Sequence, residues 1–243
     1  MCYRAGAREV HQKVLYPRLS NVACSDNSCR RYVDYAMNRV KMLRHFGVTP
    51  YLVFDGDYLP SKAGTELERE KRREESKVKG LDLLKSRRMK EAQEQLQKAI
   101  DVTPLMARHL IDECKALGIP YIVAPYEADA QLYYLEKIGE IAAIVSEDSD
   151  LLVFGCKNLI TKMDKFGECM TINRDDFTAV KGAGFSIFDW TDTEFRYMCI
   201  LSGCDYLPNI PSLGLVGAYK LVKRHKTPER VGFYLRDHES YPL

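Results

Sequence analysis

Ile141-Ala142-Ala143-Ile144-Val145-Ser146-Glu147-Asp148-Ser149-Asp150 is an apolar run that passes straight into acids and serines. A continuous apolar run of this length fits a strand buried on both faces, the kind found in parallel sheets. Ligand sites in open parallel sheets lie beyond the carboxyl ends of the strands, which is where Asp148 and Asp150 fall.

The same arrangement recurs on either side. Tyr51-Leu52-Val53-Phe54 empties into Asp55-Gly56, and Tyr121-Ile122-Val123-Ala124 is followed by Glu127 and Asp129. A fourth strand is expected from Leu159 to Met163. Helical patterns lie between these runs. Val33, Ala36, Met37, Val40, Leu43 and Phe46 recur at three- and four-residue steps from Arg31, with Gly47 as a stop. Thr103 and Pro104 make an N-cap and first turn for a helix running toward Leu117, and Leu132, Tyr133, Leu135 and Ile138 mark another. This alternation predicts an α/β fold, a mostly parallel sheet with helices on both faces, built as one domain with insertions.

A further acid, Asp205, sits in a Gly203-Cys204-Asp205 turn after a helix carrying Phe195, Met198, Cys199 and Leu201. Carboxylates gathered at one edge repel, so they either bind protons or share a cation. Oxygen-only ligation suits Mg²⁺ or Mn²⁺ better than zinc. Two such ions roughly 3.5 to 4 Å apart can activate a water and stabilise the leaving oxygen in phosphodiester cleavage. The competing reading is structural: Asp148 as a helix cap, Asp150 in the first turn behind it, Glu127 favouring a helix dipole. On position alone the two readings balance.

The 243 residues carry a formal net charge of +2, so a nucleic-acid surface has to come from local segregation of charge. The eight cysteines include no CxxC pair, which excludes a recognisable zinc site and fits a reducing compartment. No stretch approaches the ~18 apolar residues of a membrane span, and no secretory signal pattern is present. Between residues 60 and 101 charge dominates, with Lys62, Arg69, Arg72, Arg73, Lys85 and Arg88 among few large apolar side chains. Residues 1–30 show neither helical nor strand periodicity, and Pro17 and Cys24-Ser25-Asp26-Asn27-Ser28 read as loop.

Leu52-Val53-Phe54-Asp55-Gly56, Ala124-Pro125-Tyr126-Glu127-Ala128-Asp129-Ala130-Gln131, Ser146-Glu147-Asp148-Ser149-Asp150-Leu151-Leu152 and Leu201-Ser202-Gly203-Cys204-Asp205-Tyr206 resemble, in order, the motifs of the XPG/flap-endonuclease family of 5′ nucleases. Phe154-Gly155-Cys156-Lys157 and the stretch from Met198 to Asp205 look more like the exonuclease 1 branch than the flap-endonuclease branch. The resemblance runs from about Arg31 to Arg224. It implies that Asp55, Glu127, Asp129, Asp148, Asp150 and Asp205 ligate or support two Mg²⁺ ions, with Mn²⁺ able to substitute. It also implies that the charged insertion is a helical arch whose Lys62 and Arg69 reach the scissile phosphate. Seven residues apart, these two would share one helical face. Gly214, Gly217 and Lys220 would belong to a helix-two-turn-helix that meets duplex phosphates with a bound K⁺.

The resemblance further implies a nuclear enzyme of DNA repair and recombination. It would act as a Mg²⁺-dependent 5′-to-3′ exonuclease and 5′-flap endonuclease on DNA with 5′ ends, nicks or flaps, and mismatch-repair factors would be its protein partners. The expected organisation is a divergent segment 1–30, a nuclease core over 31–206 with the arch at about 60–101, and an incomplete helix-two-turn-helix over 207–243. Family members begin Met-Gly-Ile and soon present a strand ending in another metal-binding Asp, which Met1-Cys2-Tyr3-Arg4 and its successors do not match. The expectation is a missing central strand and ligand, from an alternative or mis-assigned start, in a chain that stops where the family continues. Two other readings stay open: a catalytically incompetent DNA-binding relative, and a phosphatase using the same acids.

Overall fold

The computed structural model describes residues 11–14, 31–182, 185–207 and 210–237. By internal contacts the chain divides into two compact units, Met1–Glu147 with Ile160–Met170 and Asp148–Leu159 with Thr171–Leu243.

The first unit is organised by strand β1, His11–Val14, which pairs in parallel with β2, Thr49–Phe54, on one side and with β4, Ala143–Val145, on the other. β2 pairs in turn with β3, Tyr121–Val123, also in parallel. With β5, Asn158–Thr161, and β6, Met170–Asn173, the sheet order is β3-β2-β1-β4-β5-β6. The mostly parallel α/β sheet is therefore present.

The missing central strand is not missing. His11-Gln12-Lys13-Val14 fills it, although two of its four residues are strongly polar and it is too short for a period to show. Pairing with neighbours on both sides, rather than its own propensity, specifies such a strand. The rest of the segment before Arg31 lies outside the described residues.

Helix α1, Arg31–His45, buries Val33, Ala36, Met37, Val40 and Leu43 as the spacing requires. Phe46 departs from that pattern: the helix has ended, Gly47 takes φ +75°, and the ring is 61% exposed. Helix α1 packs with Leu52 and Phe54 of β2 and with Leu110 and Cys114 of the helix Pro104–Ala116. Fully burying such a side chain contributes about 1.5 to 3 kcal/mol. Thr103 caps that last helix as expected, its hydroxyl accepting the Met106 amide at 3.3 Å.

The charged insertion is a 3-10 turn, Pro60–Lys62, followed by α2, Ala63–Lys85, and α3, Met89–Lys98; Pro104–Ala116 is then α4. Only Gly80 and Ala92 are buried on α2 and α3. A Cβ on Gly80 would stand 2.8 Å from Leu96 Cγ, so the glycine permits the close crossing of the two helices. Helix α5, Ala128–Lys137, completes the described helices of this unit.

The second unit contains α6, Asp150–Phe154, the two-stranded ribbon β7 (Lys181–Gly182) and β8 (Phe185–Ser186), and helices α7, Asp192–Ser202, α8, Leu215–His225, and α9, Pro228–Asp237. Its core gathers Met198, Ala218, Tyr219 and Val222, with Phe185, Trp190 and Phe195 packed against them. Trp190 stacks on Tyr219 at 5.1 Å, and the Tyr219 hydroxyl donates to Ser186 O at 3.0 Å. Thr191 and Glu194 form a reciprocal capping box at the start of α7. Among the described residues no helix is long and apolar enough to cross a membrane.

Candidate active site

In the first unit the loops leaving β2 and β3 are stitched together by their backbones. The Ala124 amide donates to Phe54 O at 2.8 Å, the Gly56 amide to Tyr126 O at 2.6 Å, and the Asp57 amide to Pro125 O at 3.0 Å. A Cβ on Gly56 would lie 1.8 Å from Ala124 O, so only glycine allows the two loops to meet. The Asp-Gly dipeptide, read from the sequence as a loop signal, is thus a close-approach signal as well.

The stitching puts Asp55 beside the start of α5, where its Oδ1 accepts the Ala128 amide at 2.7 Å. A carboxylate on this amide satisfies an orphan donor and favours the helix dipole. Glu127 is the N-cap residue of α5, with extended backbone and no side-chain cap of its own, and Asp129 lies in the first turn. The Glu127 carboxylate forms an ion pair with the Lys62 ammonium, at the junction of the 3-10 turn with α2. Lys62 therefore meets an acid of the strand-end set. Arg69 pairs with Glu66 of its own helix at 2.7 Å and is about half exposed.

In the second unit the Asp148 carboxylate accepts the Asp150 amide at 2.8 Å, closing the turn that opens α6, and Asp150 is the first residue of that helix. Gly155, with φ +104°, ends it. Asp205 lies in a turn closed by a bridge between Cys204 and Leu207, just after Gly203 ends α7 with φ +131°. Of the structural roles weighed against ligation, Asp148 takes that of a cap and Asp150 that of the first turn, while Asp55 caps α5 without the sequence having signalled it. A carboxylate has acceptor capacity beyond one such bond, so capping and ligation are compatible.

Gly214 is the extended N-cap residue of α8, and a Cβ there would meet nothing within 4 Å. At Gly217 a Cβ would stand 2.9 Å from Leu213 Cδ1, so the space freed by this glycine is filled by a leucine. Lys220 is exposed on the same helix.

Sequence reasoning missed Glu147. Its Oε1 accepts the Lys162 amide at 2.8 Å and its Oε2 accepts the Thr161 hydroxyl at 3.1 Å, tying the end of β4 to the end of β5. It also passed over Arg174. The guanidinium donates to Leu152 O at 2.6 Å, pairs with Asp192 at 2.6 Å and lies over the rings of Phe177 and Phe195. No periodicity could have signalled either, because both depend on non-local partners.

Among the described residues no three His, Cys, Asp or Glu side chains form a group that could hold an ion. The donor chemistry itself fits Mg²⁺ or Mn²⁺, since the strand-end set supplies carboxylate oxygen alone. Glu127 pairs with the Lys62 ammonium.

The architecture is that of a 5′ nuclease core. The structure aligns with the catalytic core of Rad2 in complex with DNA substrate at a TM-score of 0.66, covering 94% of this chain and 66% of that one at 19% identity. It aligns with the Holliday junction-resolving enzyme GEN1 in complex with product DNA and a Mg²⁺ ion at a TM-score of 0.60, covering 95% of this chain and 50% of that one at 20% identity. These likenesses concern the fold alone.

Sequence carries the family. The XPG N-terminal domain matches residues 9–76 and the XPG I-region matches residues 118–205, and the chain is 44% identical over 218 residues to Exonuclease 1 of Xenopus laevis. The chain belongs to the XPG/flap-endonuclease family. It spans 29% of the length of the Xenopus relative, which covers 87% of this chain. The N-terminal domain match begins within the segment expected to be divergent, ahead of β1.

Proposed function

We propose that this chain is the nuclease core of a divalent-metal-dependent, structure-specific 5′ nuclease of the exonuclease 1 kind. It acts on DNA with 5′ ends, nicks or flaps in repair and recombination, and is nuclear. The observation that carries the reading is the placement of Asp55. Its carboxylate is held at the end of β2 against the start of α5, beside Glu127, within the segments that match the family.

In this reading Asp55, Glu127, Asp129, Asp148, Asp150 and Asp205 hold or support the metal, which when bound supplies an activated water and stabilisation of the leaving oxygen. Lys62 and Arg69 offer two cationic hands to the scissile phosphate. The start of α8, with exposed Gly214 and Lys220, meets duplex phosphates and takes K⁺, and Gly217 supports it by making room for Leu213. Mismatch-repair factors are the proposed protein partners.

A second reading, DNA binding without turnover, is favoured by one observation. Central strand β1 is followed by Leu15-Tyr16-Pro17, with no carboxylate at its end. The two readings separate on a 5′-flapped duplex at rising Mg²⁺. The nuclease releases short 5′ products, whereas the binding-only protein gives salt-sensitive retention and no product at any Mg²⁺ concentration.

A further inference from the structure

The ion pair between Lys62 and Glu127 joins two groups that the nuclease reading needs elsewhere, one on the metal and one on the phosphate. Both side chains are largely withdrawn from water, at 13% and 21% exposure, so this is more than a solvated surface pair. Lys62 ends the 3-10 turn and is the N-cap position of α2, the point from which the helical hairpin springs. Glu127 precedes α5 without capping it, and its carboxylate turns to Lys62.

We infer that Lys62 is a stand-in cation: its ammonium occupies the Glu127 carboxylate in the metal-free protein and is expelled when a divalent ion binds. This rests on the nuclease reading and adds a coupling to it. A lysine ammonium is a compact point charge on a flexible four-carbon stem, able to leave one anion for another by rotamer change. A divalent ion brought to the same carboxylate repels it, and a divalent charge doubles that repulsion relative to a monovalent one. Metal binding thus delivers a free ammonium to the base of α2, where a substrate phosphate can take it up. A metal-free site keeps that ammonium to itself and binds the scissile phosphate poorly. The arrangement ties substrate engagement to metal occupancy without any large movement of the fold.

The test uses the DNA-free chain. Mn²⁺ binding is measured by calorimetry for the wild type, Lys62→Met, Glu127→Gln, the double variant, and Arg72→Met, which removes the same charge from an exposed position of α2. The reactivity of Lys62 toward an amine-acylating reagent is followed by mass spectrometry with and without saturating Mn²⁺. Lys62→Met is expected to tighten Mn²⁺ binding several-fold, with no such gain in the Glu127→Gln background or in Arg72→Met. Acylation of Lys62 is expected to rise several-fold with Mn²⁺ while that of Lys85 stays constant. If the wild type binds Mn²⁺ but Lys62→Met gives no tightening, or Lys62 acylation does not rise, the inference is overturned and the nuclease reading stands. If the wild type neither binds Mn²⁺ nor cuts flapped DNA, the nuclease reading fails and takes the inference with it.

Discussion

The Asp55 carboxylate accepts the Ala128 amide at 2.7 Å, so one side chain closes the gap between the end of β2 and the start of α5. That bond makes Asp55 a structural residue and, in the proposed function, a metal ligand as well. The two roles can be separated by experiment, because an amide side chain preserves the cap and removes the charge.

Asp55→Asn is expected to leave the urea unfolding midpoint nearly unchanged, since asparagine caps helices about as well as aspartate. Asp55→Ala is expected to lose about 1 kcal/mol, the usual cost of a missing cap. Both variants are expected to weaken Mn²⁺ binding at least tenfold by calorimetry. Equal loss of stability in the two would show that the charge, not the hydrogen bond, holds the loop.

Gly56→Ala places a methyl group 1.8 Å from the Ala124 carbonyl oxygen, a backbone atom with no rotamer to retreat into. The β2 and β3 exit loops have to part, breaking the bonds from Gly56 and Asp57 to Tyr126 and Pro125. A loss of about 2 to 4 kcal/mol is expected from denaturant unfolding, in the range of strained, overpacked sites. Amide exchange in the Gly56 and Asp57 region should quicken in the same variant.

Arg174→Met keeps much of the stem and removes the head group. The Leu152 carbonyl then loses its 2.6 Å donor, and the rings of Phe177 and Phe195 lose their cation. The expected cost is about 2 kcal/mol in thermal unfolding. Because Leu152 lies on the short helix that begins at Asp150, DNA cleavage should fall further than the stability change alone would cause.

Glu194 gives the second unit a pH signature. Burial pushes its carboxyl up, but hydrogen bonds from Lys226 and Thr191, with the Lys226 charge, outweigh this and hold it below the ordinary carboxylate value. A lowered folded-state value means that the contribution is complete above the ordinary value near ~4.3 and is lost as pH falls through the folded-state value. Thermal melts of wild type and Glu194→Gln are therefore expected to differ at pH 7 and to converge as the pH is lowered below about 4.

The strong periodic elements were legible because local pattern and tertiary burial agree in them. Helix α1 and the cap at Thr103 follow the sequence reading closely. Strand β1 was invisible because four residues with Gln12 and Lys13 among them carry no period, and its identity comes from partners distant in sequence. The positions of Asp55, Glu127 and Asp148 shortly beyond β2, β3 and β4 were legible from the apolar runs that precede them. What the sequence could not supply was pairing: that Lys62 meets Glu127, that Asp55 meets the Ala128 amide, and that Gly217 makes room for Leu213. These follow from loop conformations fixed by non-local backbone bonds.

The most direct test of the nuclease claim is release of 5′ products from a 5′-recessed or flapped duplex as Mg²⁺ is raised, for the wild type, Asp148→Ala and Asp150→Ala. The expected result is Mg²⁺-dependent release of short products by the wild type, abolished in both variants while DNA retention persists. Full cleavage by both variants, or product release by the wild type that is indifferent to Mg²⁺, would contradict it.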